Sequence, residues 1–284
     1  MTLYNAYRLI LLKLSEKYDS QEADAITRIL FEHVTSQTRA DIIRNNDQPV
    51  AAEIMKKLTI ALDRLTTMEP VQYITGEAFF CGRGFEVGPS VLIPRPETAQ
   101  LVEMAVDFLS HKPSATVFEV GSGSGCIAIS MQLALRSLQI SSMDISDEAL
   151  EMAKRNAQKY DAVVDWMSGD FLDNSHWIKL GQCDLLVSNP PYIPQSESVQ
   201  MNLNVTGYEP HLALFVADSE PLIFYRKMAE WGKTHLTKGG KIMVECHRDR
   251  TDACLELFEL EGYKGEVIKD MFNNNRFVSV SRCH

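Results

Sequence analysis

The chain has 284 residues, of which 45% are apolar and 23% charged, and a formal net charge of -10. That length suits one catalytic domain with a small second one, and the mixture is ordinary for a globular protein. The acidic total argues against a surface built for duplex nucleic acid, which is usually basic. No run approaches the roughly 18 consecutive apolar residues of a membrane span. The start, Met1-Thr2-Leu3-Tyr4, lacks a basic region followed by an apolar run and a small-residue cleavage site, so the expectation is a cytoplasmic protein. The six cysteines, Cys81, Cys126, Cys183, Cys246, Cys254 and Cys283, show no C-x-x-C spacing. Reduced, mostly buried thiols are expected, and no metal, even beside His247.

Residues 1–75 read as a helical domain. Leu9, Leu12 and Leu14 with Tyr4 and Tyr7 form an apolar stripe. Asp19 and Glu22 make a capping box ahead of Ile26, Ile29 and Leu30, and Pro49 opens a helix from Val50 to about Leu65. The segment carries no chemical motif. A small bundle is its plain reading, and docking a partner its functional one. Over 76–96, Gly76, Gly82, Gly84 and Gly88 punctuate short apolar pieces, Ala78–Cys81, Phe85–Val87 and Val91–Ile93. This texture predicts a β-hairpin linking two domains. Pro94-Arg95-Pro96-Glu97 ends the last strand piece and opens a helix over about 97–110.

In the rest of the 97–284 domain strands alternate with helices. Strands are expected at 116–120, 139–143, 163–167, 184–188, 241–245, 265–268 and 277–281, and helices at about 125–136, 147–159, 219–235 and 249–260. Such alternation predicts an α/β fold with a doubly wound, mostly parallel sheet. Only Lys269 to Arg276 separates the last two strands, too little for a crossover helix, so they should pair antiparallel.

The first strand of this domain, Val117-Phe118-Glu119-Val120, runs into Gly121-Ser122-Gly123-Ser124-Gly125, and a helix follows. A strand, a glycine-rich turn and a helix make a cradle that backbone can share closely with a ligand. The spacing G-x-G-x-G differs from the G-x-G-x-x-G of dinucleotide binders and points to another adenosine-bearing ligand. Asp144 closes the next strand, where a carboxylate can accept hydrogen bonds from ribose hydroxyls. Asp170 and Phe171 follow the third strand, where an acid can take an adenine amino group and a ring can cover the base. A turn aspartate and a core phenylalanine are the plain alternatives for that pair.

The most specific signal is Asn189-Pro190-Pro191-Tyr192, directly after the apolar strand Leu185-Leu186-Val187-Ser188. Two prolines stiffen the backbone and donate no hydrogen bond, leaving the Pro190 carbonyl an open acceptor. The Asn189 amide oxygen is a second acceptor. Together they can hold both hydrogens of an NH2 group while Tyr192 stacks on the planar group that carries it. An amide or aromatic amine nitrogen is a poor nucleophile because its lone pair is delocalised. Two acceptors on its hydrogens favour a pyramidal nitrogen with the pair directed at an incoming methyl carbon. The site residues expected on these grounds to act on substrate are Asn189, Pro190, Pro191 and Tyr192.

These residues resemble the protein-(glutamine-N5) methyltransferases of peptide chain release factors, the HemK/PrmC family. Pro70-Val71-Gln72-Tyr73-Ile74-Thr75-Gly76, Leu92-Ile93-Pro94-Arg95-Pro96-Glu97-Thr98, the glycine turn, Asn189-Pro190-Pro191-Tyr192-Ile193 and Tyr208-Glu209-Pro210-His211-Leu212-Ala213-Leu214 occur in that family's order. The resemblance implies a Rossmann-like, seven-stranded methyltransferase domain that uses S-adenosyl-L-methionine. It implies that Gly121 to Gly125, Asp144, Phe171 and Asn189 bind the cofactor, and that Glu119 stands where the family often has aspartate. It further implies that Asn189 to Tyr192 hold the glutamine of a Gly-Gly-Gln loop, and that the amino-terminal helices grip a release factor. Ala99 departs from an acidic residue usual in the family, and Cys246-His247-Arg248 from a glycine after Glu245. The proline loop alone is shared with adenine methyltransferases of DNA and RNA, the alternative reading. The net charge and the absence of an evident target-recognition domain count against it.

Overall fold

A computed structural model describes residues 1–112 and 114–282; Cys283 lies outside them. The chain divides into two compact units, Met1–Glu77 with Asn202–Tyr208, and Ala78–Met201 with Glu209–His284. Among the described residues no helix is long and apolar enough to cross a membrane.

The first unit contains α1 (Leu3–Leu14), α2 (Ser20–Thr35), α3 (Arg39–Arg44), α4 (Ala52–Thr66) and α5 (Val71–Thr75). Its core is made by Leu3, Ala6, Tyr7, Ile10 and Leu14 of α1 against Ile26, Leu30, Phe31, Leu58 and Leu65. The predicted α1 stripe is therefore corrected. Leu9 is 39% and Leu12 63% exposed. The buried series 3, 6, 7, 10, 14 follows the 3.6-residue period, and the leucines lie beside it. Asp19 does cap α2, accepting from the Gln21 and Glu22 backbones. Pro49 does not open α4: it pairs with Thr2 in an isolated bridge, and α4 starts at Ala52 without a side-chain cap. The complete capping box belongs to α3, where Thr38 and Asp41 exchange hydrogen bonds.

A hairpin of β1 (Glu77–Phe80) and β2 (Arg83–Glu86) follows. Cys81 and Gly82 at its tip both have positive φ, the backbone of a tight two-residue turn. Val91–Ile93 forms no strand. This extended segment instead buries Val91 and Ile93 and leads into α6 (Pro96–Leu109).

The large sheet has the order β10-β11-β9-β6-β3-β4-β5, with β3 (Thr116–Val120), β4 (Gln139–Asp144), β5 (Asp165–Ser168), β6 (Cys183–Ser188), β9 (Leu236–Glu245), β10 (Tyr263–Lys269) and β11 (Asn275–Arg282). Helices α7 (Cys126–Ala134), α8 (Asp147–Lys159), α11 (Ile223–His235) and α12 (Thr251–Leu260) connect its strands. The pairs β3–β4, β4–β5, β3–β6 and β6–β9 are parallel, while β11 runs antiparallel to both β9 and β10. Two hydrophobic clusters contain the buried apolar side chains of this unit's sheet. Between β6 and α11 the chain forms β7 (Ile193–Pro194), α9 (Leu203–Thr206), α10 (His211–Leu214) and β8 (Phe215–Val216), elements too short to show a period in the sequence.

The strand order reverses at β3. The chain moves to β4 and β5 on one side, then returns to place β6 on the other, and such a switch point opens a crevice at the carboxyl edge. Gly125 closes the turn there with φ +78. A Cβ on it would lie 2.9 Å from Ile129, 3.0 Å from Trp166 and 3.1 Å from Ala153, whereas one on Gly82, at φ +74, meets nothing within 4 Å. Gly125→Ala is expected to cost about 2–4 kcal/mol, the backbone share plus overpacking, and Gly82→Ala only the ~1 kcal/mol backbone share. Urea unfolding of the two variants checks this, and equal losses would remove the packing term.

Candidate functional site

The glycine turn and the proline loop leave the sheet side by side. Val120 pairs with Ser188 across β3 and β6, so Gly121 and Asn189 follow paired residues. The Ser188 hydroxyl donates to the Val120 carbonyl at 2.6 Å, and the Gly121 N–H to Met143 O at 2.8 Å. A Cβ on Gly121 would come within 3.9 Å of the Asn189 carbonyl.

Both segments line one cavity of about 510 Å³, within the usual range for small-molecule sites. Its wall includes Gly121, Ser122, Gly123, Ser124, Asp144, Asp170, Phe171, Asn189, Pro190 and Pro191 from the expected site residues. Glu119, Gly125 and Tyr192 are not part of it. The wall also carries apolar groups that sequence reasoning missed, among them Leu92, Ile145, Leu172, Leu212 and Phe224. These lie on irregular segments or at element ends, where periodicity carries no signal.

Several wall residues are held by identifiable contacts. Asp144 accepts from the Gly123 N–H through Oδ2 and from the Ser146 N–H through Oδ1, both at 2.9 Å. Burial lifts its carboxyl above the ordinary value, while these N–H groups pull it down. Asp170 Oδ1 accepts from the Leu172 N–H at 2.9 Å, a turn contact. Phe171 is only 4% exposed and packs with Phe118, Trp177 and Trp231, so most of its ring belongs to the core. Gly121 and Gly123 take φ +82 and +51, and a Cβ on Gly123 would meet nothing within 4 Å. That open side is the approach a ligand would use.

Asn189 donates through Nδ2 to Thr98 Oγ1 at 3.1 Å, and its Oδ1 enters no hydrogen bond with another described residue. The Pro190 carbonyl is likewise unclaimed among them. Two acceptors thus remain at the cavity wall. Thr98 Oγ1 donates to Glu245 Oε2 at 2.7 Å, and the Tyr192 hydroxyl donates to Glu245 Oε1 at 3.3 Å. Tyr192 also meets the His247 ring edge-on at 6.2 Å. Burial pushes the Glu245 carboxyl up to about 7, against hydrogen bonds from Thr98 and Tyr192 and the charge of Arg276. The sequence signal for Glu245 was an acid closing a buried strand; Thr98 gave none beyond its place in the P-R-P-E-T segment.

The departures noted in the sequence have structural places. Ala99 packs beside the core of β3 and α7 and does not face the cavity. Cys246 is buried with its sulfur 3.5 Å from Cys254. His247 Nε2 and Arg250 both reach the Glu197 carboxylate, at 3.4 and 2.5 Å. Arg95 and the Ile93 N–H both bind Glu209, a carboxylate only 3% exposed, joining the P-R-P-E-T and Tyr208–Leu214 segments near the cavity. Among the described residues no group of three His, Cys, Asp or Glu side chains is placed to hold a metal ion.

Glu119 lies under the turn. It is fully buried, accepts from Ser142 Oγ, and Ser142 in turn bonds Ser122 Oγ at 2.6 Å. Burial pushes its carboxyl up to about 8, with the Asp144 charge adding to the rise. A folded-state value above the unfolded one means that the native state binds the extra proton between about pH 4.5 and 8. Native stability therefore falls as pH rises through that window, by an amount on the order of a few kcal/mol. Glu119→Gln should flatten this dependence and gain on the parent as pH approaches 8. Denaturant unfolding from pH 5 to 8.5 measures it, and parallel pH curves for the two proteins would contradict the assignment.

Comparison with known proteins places these features. Residues 5–76 match the model of the PrmC N-terminal domain, and residues 97–206 that of the methyltransferase small domain. The chain is 38% identical to a release factor glutamine methyltransferase of Bacteroides thetaiotaomicron, covering 95% of this chain and 96% of that one. A protein of the same name from Flavobacterium psychrophilum is 32% identical, over 94% and 95%. In fold, a solved methyltransferase from Pyrococcus furiosus aligns with TM-score 0.51 and 16% identity, covering 81% of this chain and 98% of that one. The chain belongs to the release factor glutamine methyltransferase family.

Proposed function

We propose that the protein transfers a methyl group from S-adenosyl-L-methionine to the side-chain amide nitrogen of the glutamine in the Gly-Gly-Gln motif of peptide chain release factors. The observation that carries this reading is the pair of unclaimed acceptors, Asn189 Oδ1 and the Pro190 carbonyl, in one cavity with the glycine turn.

The residues present fit the cofactor. Gly123 leaves open space where another residue would project a side chain, and Gly121 keeps the backbone bare beside the Asn189 carbonyl. Asp144 offers a carboxylate to ribose hydroxyls. Asp170, Phe171 and the apolar wall suit an adenine ring, with Phe171 contributing an edge rather than a whole face. Ser122 and Ser124 belong to the cradle, and Glu119 and Gly125 support it from below and behind. When bound, the cofactor supplies an electrophilic methyl carbon on a sulfonium.

The chain's own part is to hold the nitrogen. Asn189 and Pro190 take one hydrogen each and turn the lone pair away from the carbonyl it is delocalised into. Pro191 keeps the loop stiff. Tyr192, outside the wall and bonded to Glu245, anchors the loop's far end instead of stacking on substrate. Alignment of nitrogen and methyl carbon falls within the roughly 7–11 kcal/mol that proximity can supply. In this reading the helical 1–75 segment docks the release factor, the 76–96 hairpin links it to the 97–284 methyltransferase domain, and the protein works in the cytoplasm without membrane or stable nucleic-acid contact.

Mass spectrometry of a release factor after incubation with protein and cofactor should find one added methyl on the Gly-Gly-Gln glutamine. Methyl label entering DNA or RNA adenine alone would replace this reading with the amine-methylating one. Asn189→Ala should fold, retain most of its cofactor affinity by calorimetry, and lose roughly 100- to 1000-fold in kcat, as when one preorganised partner is removed elsewhere. Turnover close to the parent's would remove Asn189 from the mechanism.

A further inference from the structure

We propose that Thr98 and Glu245 are positioning residues that dictate which end of the Asn189 carboxamide faces the cavity. The inference rests on the reading of the 189–192 loop as the NH2-binding element.

An asparagine side chain has two ends of nearly equal shape. One accepts hydrogen bonds and the other donates them. Only the oxygen end can hold a substrate NH2 hydrogen; the nitrogen end would repel it. Something must therefore choose between two arrangements that packing alone distinguishes poorly.

The chain Glu245–Thr98–Asn189 makes that choice by hydrogen-bond direction. A carboxylate only accepts, so the Thr98 hydroxyl hydrogen is committed to Glu245 Oε2 at 2.7 Å. Thr98 Oγ1 is left as an acceptor, and Asn189 meets it with Nδ2 at 3.1 Å. The amide oxygen is then directed away from Thr98. The second carboxylate oxygen of Glu245 accepts from Tyr192, so both ends of the four-residue loop are tied to one carboxylate. Sheet pairing makes this possible: Ser188 of β6 pairs with Val244 of β9, and Asn189 and Glu245 are the next residues of each strand. Thr98 reaches them from the first turn of α6. Thr98 is 3% and Glu245 2% exposed, so water does not substitute for either bond cheaply.

Protonation would reverse the chain. A neutral Glu245 can donate to Thr98, whose hydroxyl can then donate to Asn189 Oδ1 and present the NH2 end to the cavity. Burial places the Glu245 carboxyl at about 7, where such a reversal is reachable. The groups that face it are Thr98, Tyr192, Arg276 of β11 and Glu97 of α6. Arg276 is itself paired with Asp270, and His247 stands beside Tyr192. Of these, Glu97 favours the protonated form, while Thr98, Arg276 and Tyr192 oppose it.

The test measures kcat, KM and cofactor affinity from pH 5.5 to 9 with a release factor as substrate. The parent kcat should fall on the acid side with a midpoint near 7. Thr98→Val should lower kcat about 10- to 100-fold, by analogy with the loss of a partner that orients a metal ligand, with cofactor affinity changed less than about threefold. Thr98→Ser, which keeps the hydroxyl, should recover most of the loss. Glu245→Gln should lower kcat similarly and abolish the acid limb. The inference is overturned if Thr98→Val and Thr98→Ser turn over alike, or if the acid limb persists in Glu245→Gln. Should Glu245→Gln fail to fold, the threonine pair alone decides. Asn189→Ala separates the two readings: activity in that variant removes the loop's role, whereas its inactivity beside normal Thr98→Val turnover removes only the relay.

Discussion

The pairing of β3 with β6 is the constraint from which the site follows. Two parallel strands that are far apart in sequence lie adjacent because the chain reverses direction across the sheet after β5. Their carboxyl ends then present two loops of opposite character. One is stripped of side chains by glycines, and the other is stripped of backbone donors by prolines. The first can let a ligand touch backbone; the second can offer acceptors that no described residue satisfies. Neither property has chemical value alone. It is the Val120–Ser188 register that puts them on one cavity. A slip of one residue in this register would turn the side chains of β6 to the other face of the sheet and carry the loop away from the turn.

The cavity is asymmetric in composition. Most of its wall is apolar, and two of its polar groups have their orientation fixed by other protein groups. Asp144 is held by two backbone N–H groups of the turns it joins, and Asn189 by Thr98. Prior commitment of one end leaves the other end directed, which is the physical content of preorganisation. Buried carboxyl groups supply the reference points: Glu119 under the turn, Glu245 behind the loop and Glu209 beside the Ile93–Arg95 segment. All three are nearly inaccessible to water, and each is bonded to a group that the cavity wall depends on.

The sequence announced the sheet because strands buried on both faces leave continuous apolar runs, and because glycine and proline punctuate them. It announced the antiparallel end of the sheet through the shortness of the last connection. It misplaced part of the stripe of α1 because leucines at 9 and 12 outweigh an alanine in any count of apolarity, although it is Leu3, Ala6 and Ile10 that the fold buries with Tyr7 and Leu14. It took Val91–Ile93 for a strand because composition cannot tell a paired extended segment from an unpaired one. Of the site, the turn and the loop were legible from backbone chemistry alone. Thr98, Glu245, Glu209 and Phe224 were not, because their meaning comes from residues more than a hundred positions away or from a wall that only folding assembles. Tyr192 was legible as special, but its bond to Glu245 was not, since an aromatic ring in a loop gives no sign of which partner its hydroxyl will meet.

Asn156 joins the hairpin to the cradle. Its carboxamide, fully buried on α8, accepts from the Glu86 N–H at 2.7 Å and donates to the carbonyls of Glu86 and Ser124 at 2.9 Å each. One amide thus completes the edge of β2 and the middle of the glycine turn together. The two segments behave as a single mechanical part, riveted through a residue that belongs to neither. At the tip, Gly82 has open space where a Cβ would stand. At Glu86 there is no such latitude: a shift there would be felt as displacement at the Ser124 carbonyl, inside the cradle itself.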